Sequence, residues 1–422
     1  MTGSGVFPGP SPADLILCDA ERRAEHPDAM STIGVLLHLT GTVPDLAELC
    51  DHVVSRLPGL PCLTHVLSSD GTTAQWLPAT PDMERHICAV RVDNKPQSLD
   101  AAVRGLLREP LPQGAPAWRM ILLHGHVTDG FALLYLAHHA VQDGANLAAV
   151  TESLFGPSLL PEQSAVVARG VPHTPRPRLG QVVRSTATLL RHFRKQTLWT
   201  SPSQPLSSRR HTLWTHVPSS WLRTAARTGK ASTNDVYLTA LAHAIAEWAD
   251  SGWPRAADVA IPVMVPVNLR TADEVAAPGN RLFLTRVALP GGSMPLSRRL
   301  ASTRAATVAL KSAEHKAVLR AALARPPLWA FERLVAMSTD PGRLTVCASS
   351  FVLRHRLGYG DAVVERVDPI ICCPPGVPAA VVMCVYEDVA SACFRIDEAL
   401  PGAESLPARW RQALEEMTIP SQ

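Results

Sequence analysis

Apolar positions along the chain recur with a period near two in some stretches and near 3.6 in others, which lays out a mixed succession of strands and helices. In the first half, Met30–Leu39 and Ala117–Gly125 read as strands, and Asp45–Leu57 and Ser98–Arg108 as helices. Val127 to Gly130 reads as a turn that folds the strand Trp118–Gly125 back onto the apolar run Phe131–Ala137. Counting back along that hairpin from Gly125 opposite Phe131 sets Arg119 beside Ala137. In the second half, Asn234–Asp250, Pro295–Lys311 and Leu406–Glu416 read as helices. Val259–Val267, Leu282–Leu289, Ala348–Leu353 and Ala379–Tyr386 read as strands. Both halves mix the two element types, so the pattern predicts two α/β units.

Two proline-rich stretches, Gly156–Arg178 and Ser201–Arg210, break the chain between those halves. Between them, Leu179, Val182, Val183, Thr186, Leu189, Leu190 and Phe193 fall at helical spacing, with Arg184, Arg191, Arg194 and Lys195 on the opposite face. Most amphipathic helices pack their apolar face on their own protein, and this basic one is expected to do so; peripheral contact with an anionic membrane is the second use its composition allows. The expected organisation is a first unit over residues 1–160, a linker over 161–211 and a second unit over 212–422.

Composition narrows the function classes. With 46% apolar and 18% charged residues, the 422-residue chain has core material for two globular units. Its 40 basic and 37 acidic side chains leave a net charge of +3, too balanced to favour nucleic acid as a partner. No apolar run approaches the roughly 20 residues of a spanning helix, so no transmembrane segment is expected. The start, MTGSGVFPGPSPADL, lacks the basic and apolar regions of a secretory signal, and the nine cysteines form an odd set without a CxxC pair. A cytoplasmic protein with reduced thiols is the expectation.

The chemistry concentrates in AHHAVQDGAN, Ala137 to Asn146, directly after an apolar strand. Histidine is the side chain best suited to accept a proton near neutral pH. If strand geometry continues, His138 and His139 point to opposite sides, so only one faces a given pocket. Asp143 stands four residues after His139, placed to orient a ring or hold the turn, and Gly144 admits a backbone conformation or a close approach closed to other residues. Spacing alone leaves a general base and a solvated strand end equally open. A metal site is not expected, because the pair and a distant carboxylate lack further ligands.

HHAVQDG resembles the HHxxxDG signature of acyltransferases that use acyl-CoA or acyl carriers, among them chloramphenicol acetyltransferase, peptide-synthetase condensation domains and the wax ester synthase/diacylglycerol acyltransferases. Similarity is greatest to the last group. SPADLILCDA, Ser11 to Ala20, resembles its N-terminal SPLDxxFL element, and Pro116-Ala-Trp118 its PLW element. Ser232 to Tyr237 is similar to its TxNDV element, Val265 to Arg270 to its VPVSLR strand, and Gly279-Asn280 to its GN element. The resemblance departs where an SNVPGP-like turn is usual, since Cys347-Ala-Ser-Ser-Phe351 stands there.

The resemblance implies an α/β fold of two chloramphenicol acetyltransferase-like subdomains, each a mixed sheet with flanking helices, set as a V around a central channel. It implies an O-acyltransferase that moves an acyl group from acyl-CoA or an acyl carrier protein to a hydroxyl, forming an ester, with His139 as general base. Amide formation on an amine acceptor and a non-catalytic docking platform for carrier proteins are the alternatives. His138, Asp143 and Gly144 would complete the catalytic loop, with Asp143 structural. Asn234, Asn268 and Arg270 are the expected substrate-binding residues, and Arg119, Trp118, Asp235 and Asn280 the expected structural support. Arg119 in particular is expected to pair with Asp143. No cofactor is implied beyond the acyl-CoA or acyl-pantetheine co-substrate, and no metal or covalent intermediate.

Overall fold

A computed structural model describes residues 8–22, 31–69, 73–157, 206–207, 209–252, 259–271, 274–323, 329, 333, 346–373 and 376–419. The basic helix expected over 179–195 lies outside the described residues. The chain divides into two compact units, one comprising 1–172, 270–281 and 353–372, the other 173–269, 282–352 and 373–422. This departs from a purely sequential division, because two segments from the second half of the chain belong to the first unit.

The first unit begins with α1 (Pro12–Arg22) and carries strands β1 (Thr32–Thr40), β2 (His65–Ser69), β3 (Ala74–Pro78), β4 (Ile87–Arg91), β5 (Trp118–His124) and β6 (Gly130–His138). Its further helices are α2 (Leu46–Arg56), α3 (Met83–His86), α4 (Ser98–Leu106) and α5 (Gly144–Phe155). Together with β11 (Gly358–Tyr359) and β12 (Ala362–Ile370), the strands β1, β4, β5 and β6 form a six-stranded mixed sheet of order β11-β12-β1-β6-β5-β4. All pairs with known register are antiparallel except β4 with β5. Strands β2 and β3 make a separate ribbon.

Position in the sheet explains the sequence of β6. Paired on both sides and covered on both faces, GFALLYLAH is buried along its whole length and therefore shows a continuous apolar run rather than alternation. Neighbouring β1 approaches it so closely at Gly34 that a Cβ there would stand 2.1 Å from the Tyr135 carbonyl oxygen. The hairpin between β5 and β6 differs from the sequence expectation by one residue. The turn spans Gly125 to Asp129, with positive φ at both of these residues, so His124 faces Phe131, Arg119 faces Leu136, and Trp118 takes the place beside Ala137. A one-residue slip moves a side chain to the opposite face of the sheet.

The second unit carries β7 (Arg210–Pro218), β8 (Ile261–Asn268), β9 (Leu282–Leu289), β10 (Val346–Leu353), β13 (Ala379–Tyr386) and β14 (Val389–Asp397). They form a six-stranded sheet of order β7-β14-β13-β10-β8-β9, in which β10 runs parallel to β8. The helices Ser219–Thr228, Thr233–Gly252 and Leu406–Glu416 supply buried side chains to its core, with Trp248, Tyr237 and Trp410 among the largest. Thr233–Gly252 opens on a capping box: Ser232 N–H donates to Asp235 Oδ2 at 2.9 Å, and Asp235 N–H to Ser232 Oγ at 3.2 Å. Lys311 Nζ and Thr307 Oγ1, each at 2.6 Å, also reach the buried Asp235 carboxylate. Asn234 Oδ1 accepts a hydrogen bond from Ser350 Oγ at 2.9 Å, and Asn268 is exposed at the end of β8. Each unit thus pairs a mixed sheet with helices, as two chloramphenicol acetyltransferase-like subdomains require.

Candidate active site

Strand β6 ends on His138, and the chain turns through His139–Gln142 into α5. Asp143 caps that helix, its Oδ1 accepting the Asn146 N–H at 2.9 Å. Gly144, half-buried in the first helical turn, does not adopt a positive φ, so a left-handed backbone is not what calls for glycine there.

His139 Nδ1 lies 3.1 Å from the Gln142 carbonyl oxygen. A carbonyl can only accept, so Nδ1 carries the ring proton and Nε2 presents its lone pair. No described residue hydrogen-bonds to that Nε2. Burial pushes the His139 pKa below the ordinary histidine value, favouring the neutral, proton-accepting ring. The backbone of His139 is fixed at both ends: its N–H donates to the Ser31 carbonyl at 2.7 Å, and its carbonyl accepts from Asn280 Nδ2 at 2.7 Å. Gln142 is fixed in turn, its Nε2 donating to the buried Tyr135 hydroxyl at 2.6 Å.

His138 has a different environment. Its Nδ1 accepts the Ala140 N–H at 2.9 Å, and its Nε2 lies 2.7 Å from Glu21 Oε2. Both ring nitrogens are therefore engaged, whereas the His139 Nε2 lone pair has no partner among the described residues. Strand geometry stops at His138, so the different environments of the two rings come from the turn that begins at His139.

Asp143 faces neither ring. Its two carboxylate oxygens receive Arg270 Nε at 3.0 and 2.9 Å, and Oδ2 also receives the Arg281 N–H at 3.0 Å. Burial opposes its charge, but the Arg270 guanidinium outweighs that and holds the carboxyl below the usual carboxylate range. Arg270 is 1% exposed and donates further N–H groups to the carbonyls of Glu274, Ala277 and Gly279. It is a buried clamp between the loop and the segment 270–281, so its expected substrate-binding role gives way to a structural one. Arg119, expected in that position, instead pairs with Glu109 Oε2 at 2.8 Å and contacts Cys88 Sγ at 3.7 Å. The register slip, which directs its side chain to the other face of the sheet, is the cause.

Asn280 joins three parts of the first unit. Its backbone N–H and Nδ2 each donate to Asp14 Oδ1 at 2.8 Å, while Nδ2 reaches the His139 carbonyl. Asp14 also accepts the Ser11 N–H at 2.7 Å, the capping box of α1. Gly279 precedes with φ +89°, and a Cβ there would stand 2.6 Å from Asp14 Oδ2. The SPAD and GN elements are thus mutual partners. Trp118 supports the root of the loop from below, buried, with Nε1 donating to the Leu63 carbonyl at 3.0 Å.

Sequence reasoning brings His138, His139, Asp143, Gly144, Asn280 and Trp118 to one place, and the structure adds Glu21, Ser31, Gln142 and Tyr135. Gln142 lies inside the AHHAVQDGAN stretch and Tyr135 on the apolar run before it, whereas no reading of the sequence pointed to Glu21 or Ser31. Asn234, Asp235 and Asn268 belong to the second unit.

Residues 11–197 match the wax ester synthase/diacylglycerol acyltransferase catalytic domain, in agreement with the motif resemblance. No curated protein matches the chain in sequence. Among solved structures, the wax ester synthase/diacylglycerol acyltransferase from Marinobacter aquaeolei VT8 is similar with TM-score 0.66 and 16% identity, over 97% of this chain and 98% of that one. The first condensation domain of the calcium-dependent antibiotic synthetase, in complex with a substrate analogue, is similar with TM-score 0.69 and 15% identity, over 100% and 98%. A starter condensation domain of rhizomide synthetase in complex with C8-CoA and Leu-SNAC gives TM-score 0.66 and 15% identity, over 98% and 94%. At these identities the likeness is one of fold.

Proposed function

From a chain homologous over residues 11–197 to the wax ester synthase/diacylglycerol acyltransferase catalytic domain, we propose an O-acyltransferase that joins an acyl thioester to an alcohol. The observation that carries the reading is His139, whose Nδ1 is committed to the Gln142 carbonyl while its Nε2 lone pair has no partner among the described residues. In the proposed reaction Nε2 takes the proton of the acceptor hydroxyl as its oxygen attacks the thioester carbonyl. The tetrahedral intermediate then collapses, the C–S bond breaks, and the imidazolium returns the proton to the departing thiolate. The base ends neutral and the products are an ester and a free thiol. His138 and Asp143 support this step without touching the reacting atoms, because both are already engaged by protein groups.

The donor is acyl-CoA or an acyl carrier protein, and both contain the same pantetheine thioester. Amide formation is the second reading, favoured by the likeness in fold to condensation domains. Incubation with acyl-CoA or with an acylated carrier protein, each with paired alcohol and amine acceptors, tests both, reading thiol release and product mass. Ester with the alcohol supports the proposal, amide alone replaces it with the second reading, and no release with either donor type sinks both.

A further inference from the structure

Glu21, near the C-terminal end of α1, holds the histidine pair from outside the signature. Its Oε2 is 2.7 Å from His138 Nε2 and accepts the Ser31 N–H at 3.0 Å. Because His138 Nδ1 accepts the Ala140 N–H, the neutral His138 ring carries its proton on Nε2 and donates it to Glu21. The carbonyl of the same Ser31 accepts the His139 N–H at 2.7 Å. One carboxylate oxygen therefore grips the side chain preceding His139 and the residue whose backbone is bonded to His139. Burial works against a charge on Glu21, yet the hydrogen bonds from His138 and from the Ser31 N–H keep its carboxyl below the usual range. At the opposite end of α1, Asp14 reaches the His139 carbonyl through Asn280.

We propose that Glu21 is a positioning residue for His139, fixing the His138 ring and Ser31 so that the His139 ring keeps its Nδ1–H on the Gln142 carbonyl and its Nε2 toward the acceptor. This rests on the reading of His139 as base. Without Glu21, the His138 Nε2–H and the Ser31 N–H lose their acceptor, and the His139 backbone loses the support on its N–H side. A catalytic group misplaced by about 1 Å loses on the order of 10²-fold in rate.

The test compares Glu21→Ala, Glu21→Gln and Glu21→Asp by steady-state kinetics and by NMR of protein labelled with ¹⁵N in its histidine rings. Gln keeps an oxygen acceptor at the same reach, whereas Asp keeps the charge and shortens the arm. Expected are a fall in kcat of at least about tenfold at unchanged KM for Ala and Asp, and recovery by Gln to within about threefold of the parent. The His139 nitrogen shifts should report a fixed Nδ1–H tautomer in the parent and the Gln variant, and an averaged one in Ala and Asp. Unchanged His139 shifts in both Ala and Asp would overturn the proposal, as would a loss in which kcat and KM change together and Gln gives no rescue. Should Ala fail to fold, Asp and Gln decide the same question. If the parent turns over no acceptor, the functional reading fails while the tautomer comparison still decides the positioning role.

Discussion

Arg270 Nε meets both carboxylate oxygens of Asp143, at 3.0 and 2.9 Å, with the two side chains 1% and 2% exposed. A pair this buried is sensitive to loss of one member, because the survivor is left with an uncompensated charge. Asp143→Ala and Arg270→Ala should each destabilise the protein by about 3 to 5 kcal/mol, with the double variant losing clearly less than the sum. Denaturant melts of the four proteins check this. Strict additivity would contradict the pairing.

The same pair gives a pH dependence of fixed sign. Asp143 has its folded-state pKa depressed, so its stabilisation is present above the unfolded carboxylate value of about 4 and is lost as pH falls through the folded value. The stability gap between the parent and Asp143→Asn should therefore be constant near neutrality and shrink in acid below about pH 4. Urea midpoints measured across pH 2 to 7 would show it, and a gap that widens on acidification would refute the assignment.

His139→Ala should lower kcat by roughly 10² to 10⁴ while preserving the fold, and His138→Ala should cost less. Because burial depresses the His139 pKa, activity should persist below the pH at which an exposed histidine, with a value of about 6.5, becomes protonated. A pH profile of kcat/KM with its acid limb above that value would count against His139 as the base.

Arg119→Ala should be mild. Its partner Glu109 is 51% exposed, and ion pairs with a solvated member contribute about 0 to 1 kcal/mol. A loss comparable to that of Arg270→Ala, measured in the same melts, would mean that Arg119 supports the loop after all.

Asn280→Ala should remove two side-chain contacts, those to the His139 carbonyl and to Asp14; Asp14 keeps the Asn280 and Ser11 N–H groups, but the His139 carbonyl loses its Asn280 donor at a cost of about 1 to 3 kcal/mol. Activity should fall further than the melting temperature alone explains, since His139 loses the support at its carbonyl. Unchanged kcat in a destabilised variant would confine Asn280 to folding.

Strong local pattern was legible and long-range geometry was not. Leu282–Leu289, Ala379–Tyr386 and Leu406–Glu416 form where apolar spacing places them. By contrast β14, VASACFRID, is built largely of small residues with weak strand preference, and its pairing with β13 and β7 rather than its own sequence makes it a strand. Within the site, the histidine pair and Asp143 stood out because the motif is contiguous. Arg270 was read as a substrate-binding residue and not as the partner of Asp143, since their contact spans 127 positions and no local period encodes it. Arg119 failed for a smaller reason: a turn longer than the one read from Val127 to Gly130 shifted the register by one.

The segment 270–281 sets an order of events during synthesis. Domains generally begin folding N-terminal first as the chain emerges, at about 5 to 20 residues per second. For the interval between the appearance of Asp143 and that of Arg270, the HHxxxDG loop has no guanidinium to neutralise its carboxylate and no Asn280 to hold the His139 carbonyl. The first unit can complete its own sheet only later still, when β12 arrives to pair with β1. Residues 11–197, though they carry the recognisable catalytic pattern, should therefore not make a separable folding module: expressed alone, they would present a bare strand edge and an unpaired buried charge to whatever chaperones the cell supplies.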